Sequence, residues 1–222
     1  MASQYKLIAW DAPGYGDSSM ISKTVADADD YADALRQFLS GLELTRVHLV
    51  GHSLGALIAG AFAKNYPQYL ASLTLVDPAS GYGNEALEVR EGAVSTRSGM
   101  IEAMGPDGLA QSRAANLLSE GANAEALALV QWNMRRLRYG GYNQAIKLLA
   151  YGNLLSDAKQ YSGKVLVMCG SRDHITPPGK AKKVCEQYSN ATYYEIPGAG
   201  HAAYIDRPEA FNRKLCGFIE SV

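Results

Sequence analysis

The sequence predicts an α/β fold: a mostly parallel, doubly wound sheet with helices on both faces and a helical lid insertion. Short apolar runs of strand character alternate with helical patterns along most of the chain, an order typical of parallel strands joined by crossover helices. One long stretch, from about 83 to 161, has helical patterns and no convincing strand. We therefore expect a sheet whose connections include one long helical insertion.

The elements follow from apolar periodicity and from turn residues between the runs. A capping box of Thr24 and Asp27 is expected to begin the first helix, which ends at Gly41. Strands are predicted over Tyr5 to Trp10, 47–50, 72–76, 164–170 and 192–196. Helices are predicted over 24–40, 53–65 and 178–188, and from about 208 onward.

The helical stretch defines the expected domain organisation. Within it Ala126, Val130, Met134 and Leu137 recur at helical spacing. We expect residues 1–82 and 162–222 to form the core and 83–161 to form a helical cap, or lid.

Composition excludes several classes of function. The 222 residues are 47% hydrophobic and carry a formal net charge of -1, with no basic stripe for nucleic acid. Three widely spaced cysteines match neither a disulfide framework nor a zinc pattern. No apolar run has the length of a signal peptide or a membrane span. We expect a cytoplasmic protein that acts on a small molecule without nucleic acid or membrane partners; the sequence leaves its oligomeric state open.

One pentapeptide suggests a nucleophile. Gly51-His52-Ser53-Leu54-Gly55 follows the apolar run 47–50 and precedes a helical pattern. A G-x-S-x-G sequence between a strand and a helix forces a sharp turn that exposes the serine, and its glycines allow the strand and helix to approach closely. Ser53 is therefore the candidate nucleophile.

A serine nucleophile needs a base and an acid that orients the base. Of the four histidines, His201 is the candidate base, because it lies in a glycine-rich loop after the last strand. His48 is expected within a strand and His52 is expected to point away from the base, while His174 is either a loop residue or a minor substrate contact.

The candidate acid is Asp173, in the loop after the strand at 164–170. Loops that follow parallel strands meet at one edge of a sheet, so Ser53, Asp173 and His201 are expected to converge there. Asp77, at the end of the preceding strand, is the alternative acid.

With these residues in view, the chain resembles the α/β-hydrolases, in particular the cofactor-free esterases, enol-lactonases, meta-cleavage-product hydrolases and haloperoxidase-like enzymes. Four segments carry the resemblance: YKLIAWDAPGYGDSS, VHLVGHSLGA, VLVMCGSRDHITPP and PGAGHAAYIDRP. The resemblance implies that Ser53 is the nucleophile, Asp173 the acid and His201 the base. It also implies that no metal and no organic cofactor take part.

The chain departs from this family near its beginning. We expect the family's first strands to be missing, together with the His-Gly loop that supplies one oxyanion donor, because no His-Gly pair occurs in this sequence. The backbone N–H of Leu54 is the expected first donor, and the second donor is unknown. A piece of a longer enzyme is expected, with either a gap or a changed pairing beside the strand at 47–50.

Three functions stay open at this point. The leading hypothesis is a serine hydrolase of a small carboxylic ester, a lactone or a vinylogous diketone. The alternatives are a catalytically incomplete, ligand-binding form of the same fold and a perhydrolase that accepts peroxide. Substrate contacts are expected from Trp132, Met134 and Arg135 in the cap, although Arg135, Arg136 and Arg138 also fit a solvated helix face.

Overall fold

The computed structural model describes residues 4–222 and contains a four-stranded parallel sheet of order β1-β2-β3-β4. The register pairs His48 with Ser72, Thr74 with Leu166, and Leu166 with Thr192. Because all four strands run the same way, the loops that follow them meet at one edge. The strands are β1 (Val47–His52), β2 (Leu70–Val76), β3 (Val165–Gly170) and β4 (Ala191–Ile196).

Helices connect and cover these strands. Short 3-10 turns lie at Pro67–Tyr69 and Ala114–Leu117. In the part of the chain that is described, no helix has both the length and the apolar character needed to cross a membrane. The helices are α1 (Ala28–Gly41), α2 (Gly55–Asn65), α3 (Leu87–Arg113), α4 (Ala124–Arg135), α5 (Tyr139–Tyr151), α6 (Leu154–Ala158), α7 (Pro178–Cys185), α8 (Ala203–Asp206) and α9 (Pro208–Ile219).

The apolar core lies on both faces of the sheet, as the predicted doubly wound fold requires. Alternate residues of β3 point to opposite faces, so Val165 and Val167 join one cluster while Leu166 and Met168 join another. The first cluster contains buried residues of α1, α2, α6 and α7. The second contains the buried face of α9.

The first helix begins later than predicted. Its capping box consists of Asp27 and Asp30: the Asp30 N–H donates to the Asp27 carboxylate at 3.0 Å, and the Asp27 N–H donates back at 3.1 Å. The expected box of Thr24 and Asp27 is wrong, because Thr24 lies before the helix and its carbonyl accepts from Lys147 Nζ. An acidic side chain three residues after Asp27 fits the capping geometry equally well.

The predicted strand from Tyr5 to Trp10 is also wrong. These residues run beside β1 without strand pairing, and a cavity of about 300 Å³ separates them from Val47 and Leu49. Of the two expected outcomes beside β1, the structure therefore has the gap. Apolar periodicity made the segment resemble a strand, but a strand also needs a neighbour at hydrogen-bonding distance.

The stretch between β2 and β3 is helical, as predicted, and contains α3 to α6. The 27 residues of α3 bend sharply at Gly105, whose φ is 64°, and Pro106 follows. In a straight helix Met100 and Arg113 would be about 20 Å apart. Instead Arg113 Nη1 lies 3.6 Å from Met100 Sδ, so the two halves of α3 fold back on each other.

Candidate active site

Ser53 lies in the turn between β1 and α2, with a positive φ of 50°. Its N–H donates to the carbonyl of Val76 at 2.9 Å, which fixes the turn against β2. At Gly51 an added Cβ would lie 2.5 Å from the carbonyl oxygen of Gly55, so this glycine is required by the close approach of strand and helix. Ser53 itself is half-buried.

The structure brings Ser53, His201 and Asp173 into one hydrogen-bonded chain. His201 Nε2 lies 2.8 Å from Ser53 Oγ, and His201 Nδ1 lies 2.9 Å from Asp173 Oδ2. An ionised carboxylate only accepts hydrogen bonds, so Nδ1 carries the proton. Nε2 is then free to accept from the serine hydroxyl.

The Asp173 carboxylate is held by further donors. Its Oδ1 accepts from the N–H groups of Ile175 at 2.7 Å and Thr176 at 3.0 Å. The Thr176 hydroxyl lies 2.7 Å from Oδ2 and 2.9 Å from the carbonyl oxygen of Asp77. The loop after β3 therefore fixes the carboxylate in the orientation that faces His201.

These contacts keep Asp173 ionised. Burial by itself raises the pKa of its carboxyl. Hydrogen bonds from His201 and Thr176, together with the charge of His201, outweigh this effect and lower the pKa from 3.8 to about 2. Both His201 and Asp173 are almost fully buried. The chain can therefore place a negative charge next to the imidazole at neutral pH.

Asp77, the alternative acid, lies in the same cluster but makes no hydrogen bond to His201 among the described contacts. It is fully buried at a positive φ of 44°, and its Oδ1 accepts from the Gly170 N–H at 2.7 Å. Burial, assisted by the charge of Asp173, raises the pKa of Asp77 to about 8. The environment therefore favours the neutral form of Asp77 and the ionised form of Asp173.

Asp77, Asp173 and Cys169 have potential metal-ligand atoms within 4.8 Å of one another. A metal cage needs deprotonated ligands. Burial raises the pKa of both the Cys169 thiol and the Asp77 carboxyl. Since both oxygens of Asp173 already accept hydrogen bonds, the donor set fits a hydrogen-bonded support for Asp173 better than a metal site.

The expectation that His52 points away from the base is wrong. Its ring centroid lies 4.9 Å from that of His201, and its Nε2 lies 2.9 Å from the His201 carbonyl oxygen. Desolvation, assisted by the charge of His201, lowers the pKa of His52 to about 4, so it packs beside the base as a neutral ring. His48, within β1 as predicted, lies 2.8 Å through Nδ1 from Ser72 Oγ.

Asp206 is a supporting residue that the sequence reasoning missed. Its buried carboxylate accepts from the Gly200 N–H at 2.7 Å, from the Ser119 N–H at 2.8 Å and from the Ser119 hydroxyl at 3.0 Å. It therefore joins the loop of His201 to the helical stretch between β2 and β3. The sequence feature that could have indicated Asp206 is its position five residues after His201, in the segment HAAYID.

The N–H of Leu54 lies directly after Ser53, at the start of α2. Residues that begin a helix have N–H groups without intrahelical partners, and the described hydrogen bonds give none for this one. Leu54 thus has an N–H available beside the serine. The contacts of residues 4–222 identify no second donor of this kind.

The three expected substrate contacts lie in different places. Met134 lines a cavity of about 1020 Å³ that also contacts His174 and Ile175, next to Asp173. Trp132 is 54% exposed and lines a different depression, where Arg136 stacks over its ring at 4.7 Å. Arg135 forms an exposed ion pair with Asp107 at 3.4 Å. Neither Trp132 nor Arg135 lines the cavity beside Asp173.

Comparisons with a family model and with known proteins agree with one another. A family model described as the alpha/beta hydrolase fold matches residues 2–208. A 2-hydroxy-6-oxononadienedioate/2-hydroxy-6-oxononatrienedioate hydrolase of Paraburkholderia phymatum is 25% identical over 97% of this chain and 76% of its own. The 3-oxoadipate enol-lactonase 1 of Acinetobacter baylyi is 24% identical over 100% of this chain and 81% of its own.

Solved structures agree on the fold. A thermophilic esterase from Thermogutta terrifontis superposes with a TM-score of 0.84 at 24% identity, covering 95% of this chain and 78% of the esterase. The enol-lactonase from Burkholderia xenovorans gives a TM-score of 0.80 at 19% identity, covering 94% of this chain and 78% of its own. At these sequence identities, the superpositions show that the folds are alike.

Proposed function

The chain belongs to the family of α/β-hydrolase-fold proteins, and we propose that it is a serine hydrolase that cleaves a small carboxylic ester, a lactone or the C–C bond of a vinylogous diketone. The observation that carries this proposal is the hydrogen-bonded chain from Ser53 through His201 to Asp173. The names of two relatives, a hydrolase of 2-hydroxy-6-oxononadienedioate and an enol-lactonase, support the C–C and lactone possibilities.

In the proposed reaction on an ester, His201 Nε2 takes the proton of Ser53 as Oγ attacks the carbonyl carbon. Asp173 keeps the proton of His201 on Nδ1 and stabilises the imidazolium that forms. The imidazolium then gives the proton to the departing alcohol, which leaves an acyl group on Ser53. Water, deprotonated by His201, attacks this acyl group and releases the acid together with the free serine.

The negative oxygen formed during attack is stabilised by the N–H of Leu54 in this proposal. Removal of one oxyanion donor typically reduces turnover by about 10² to 10³. The second donor is unassigned within residues 4–222, so we expect slower turnover than a site with two donors would give. This observation favours the alternative function, a ligand-binding protein that retains the triad without turnover.

Hydrolysis of 4-nitrophenyl butyrate tests the proposal. Ser53→Ala is expected to lower kcat by about 10⁴ or more, because the nucleophile is removed. Ser189→Ala, an exposed serine without a side-chain hydrogen bond among the described contacts, is the matched control. Undiminished hydrolysis in Ser53→Ala contradicts the proposal, and binding of the ester without turnover by the wild-type chain favours the alternative function.

A further inference from the structure

The cavity of about 1020 Å³ lies between the helices that follow β2 and the loop that follows β3. Much of its wall is apolar, with Met100, Leu109, Leu127, Met134 and Leu137 among the lining residues. A volume of this size holds a small organic molecule. Its apolar wall suits a hydrocarbon chain or ring.

The cavity adjoins the residues that hold the acid and the base. His174 and Ile175 line it and directly follow Asp173. Leu117 also lines it, and its carbonyl accepts from the N–H of Ala202, next to His201, at 2.7 Å. A molecule in the cavity would therefore lie beside the loops of Asp173 and His201.

Two arginines line this cavity from the two halves of α3. Arg97 precedes the bend at Gly105 and Arg113 follows it. Arg97 Nη2 donates to Tyr82 Oη at 3.2 Å, and Arg113 Nη1 contacts Met100 Sδ at 3.6 Å. The fold of α3 therefore brings two guanidinium groups from distant positions to one cavity.

Neither guanidinium has an acidic partner in the described part of the chain. Within residues 4–222 no carboxylate lies within ion-pair distance of Arg97 or Arg113, whereas Arg135 pairs with Asp107. Both charges oppose the burial effect that raises the pKa of the Tyr142 phenol, and Tyr142 lines the same cavity as the two arginines. Glu120 also lines the cavity, which leaves it with one more arginine than carboxylates.

We propose that Arg97 and Arg113 bind a carboxylate of the substrate, so that the enzyme prefers esters or lactones whose apolar acyl chain ends in a second carboxylate. The planar guanidinium binds a carboxylate through two parallel hydrogen bonds. The apolar wall holds the chain between this carboxylate and the carbonyl near Ser53. The inference deepens the proposed function and rests on it.

The test compares two substrates of equal chain length, the mono-4-nitrophenyl ester of hexanedioic acid and 4-nitrophenyl hexanoate. The wild-type chain is expected to have the higher kcat/KM for the acid ester. In Arg97→Gln/Arg113→Gln the ratio of the two kcat/KM values is expected to fall by about tenfold or more, through KM of the acid ester. Arg97→Lys/Arg113→Lys, which keeps both charges, is expected to retain part of the preference.

The control is Arg213→Gln, an exposed arginine of α9 outside the cavity, which is expected to leave the ratio unchanged. No preference in the wild-type chain, or an unchanged ratio in the double glutamine variant, overturns the inference. Should neither ester be hydrolysed, the proposed function fails and calorimetric titration with hexanedioate decides separately. Saturable binding that the double glutamine variant loses supports the arginine site, and absence of binding overturns it.

Discussion

His201 Nε2 lies 2.8 Å from Ser53 Oγ, although 148 positions separate the two residues along the chain. Ser53 follows β1 and His201 follows β4, which are the two outer strands of the sheet. The loop after β3 adds Asp173 behind the histidine. Because the strands are parallel, the loops that leave their carboxyl ends lie at the same end of the sheet and bring these groups together.

The two glycines of the serine turn should differ in their tolerance of a methyl group. Gly51→Ala places Cβ 2.5 Å from the Gly55 carbonyl oxygen and 2.7 Å from Ala59 Cβ, so we expect the free energy of unfolding to fall by about 1–3 kcal/mol. Gly55→Ala meets no atom within 4 Å and should change it by less than about 1 kcal/mol. Urea denaturation of both variants measures the difference, and equal losses would contradict the packing described for Gly51.

Asp206 should matter for turnover as well as for stability. Asp206→Ala leaves the buried donors of Gly200 and Ser119 without their acceptor, and we expect a loss of about 2–4 kcal/mol in unfolding free energy. Because Gly200 precedes His201, kcat for a 4-nitrophenyl ester should fall more than KM rises. Arg207→Gln is the control, since that arginine contacts the carboxylate from the solvent side and should contribute less than about 1 kcal/mol. An unaltered kcat in a folded Asp206→Ala variant would show that the loop of His201 does not depend on Asp206.

Asp77 should make the folded chain less stable as the pH rises. Burial raises its pKa from 3.8 to about 8, so between these values the unfolded chain has released a proton that the folded chain retains. Fewer protons bound by the unfolded state mean that stability falls with increasing pH. His52 acts in the opposite direction from about pH 4 to 6.5, because desolvation lowers its pKa from 6.5 to about 4.

Between pH 6.5 and 8, Asp77 therefore changes the stability of the fold while His52 does not. Asp77→Asn replaces a neutral carboxyl by a neutral amide of the same shape, so the decrease in Tm over this window should be smaller in the variant than in the wild type. Thermal unfolding followed by circular dichroism at both pH values gives the comparison. Equal decreases in the two proteins would mean that Asp77 is already ionised at pH 6.5.

The sequence was sufficient for the elements whose signals are local. The G-x-S-x-G turn and the four strands that pair follow from periodicity and turn residues near their own positions. Tyr5 to Trp10 was predicted as a strand from the same kind of signal, but pairing depends on a neighbour that local periodicity does not reveal. Strand pairing is a property of two segments, so the sequence pattern of one segment is not enough to predict it.

The supporting contacts of the site depend on tertiary structure in the same way. Asp206 reaches Ser119 across 87 positions, and Arg113 meets Met100 only because α3 bends at Gly105. His52 was expected to point away from the base, whereas its Nε2 lies 2.9 Å from the His201 carbonyl oxygen. To predict such contacts, one would need to know how distant segments of the chain pack against one another.

Labelling with a fluorescent phosphonate tests the central claim most directly, because phosphonates react with serines that a base has activated. The purified chain and its His201→Ala variant are treated with the reagent, and the adduct is located by mass spectrometry. We expect one adduct on Ser53 in the wild-type chain and loss of that adduct in the variant. A folded wild-type chain without an adduct on Ser53, or equal labelling in the His201→Ala variant, would contradict an activated serine at this site.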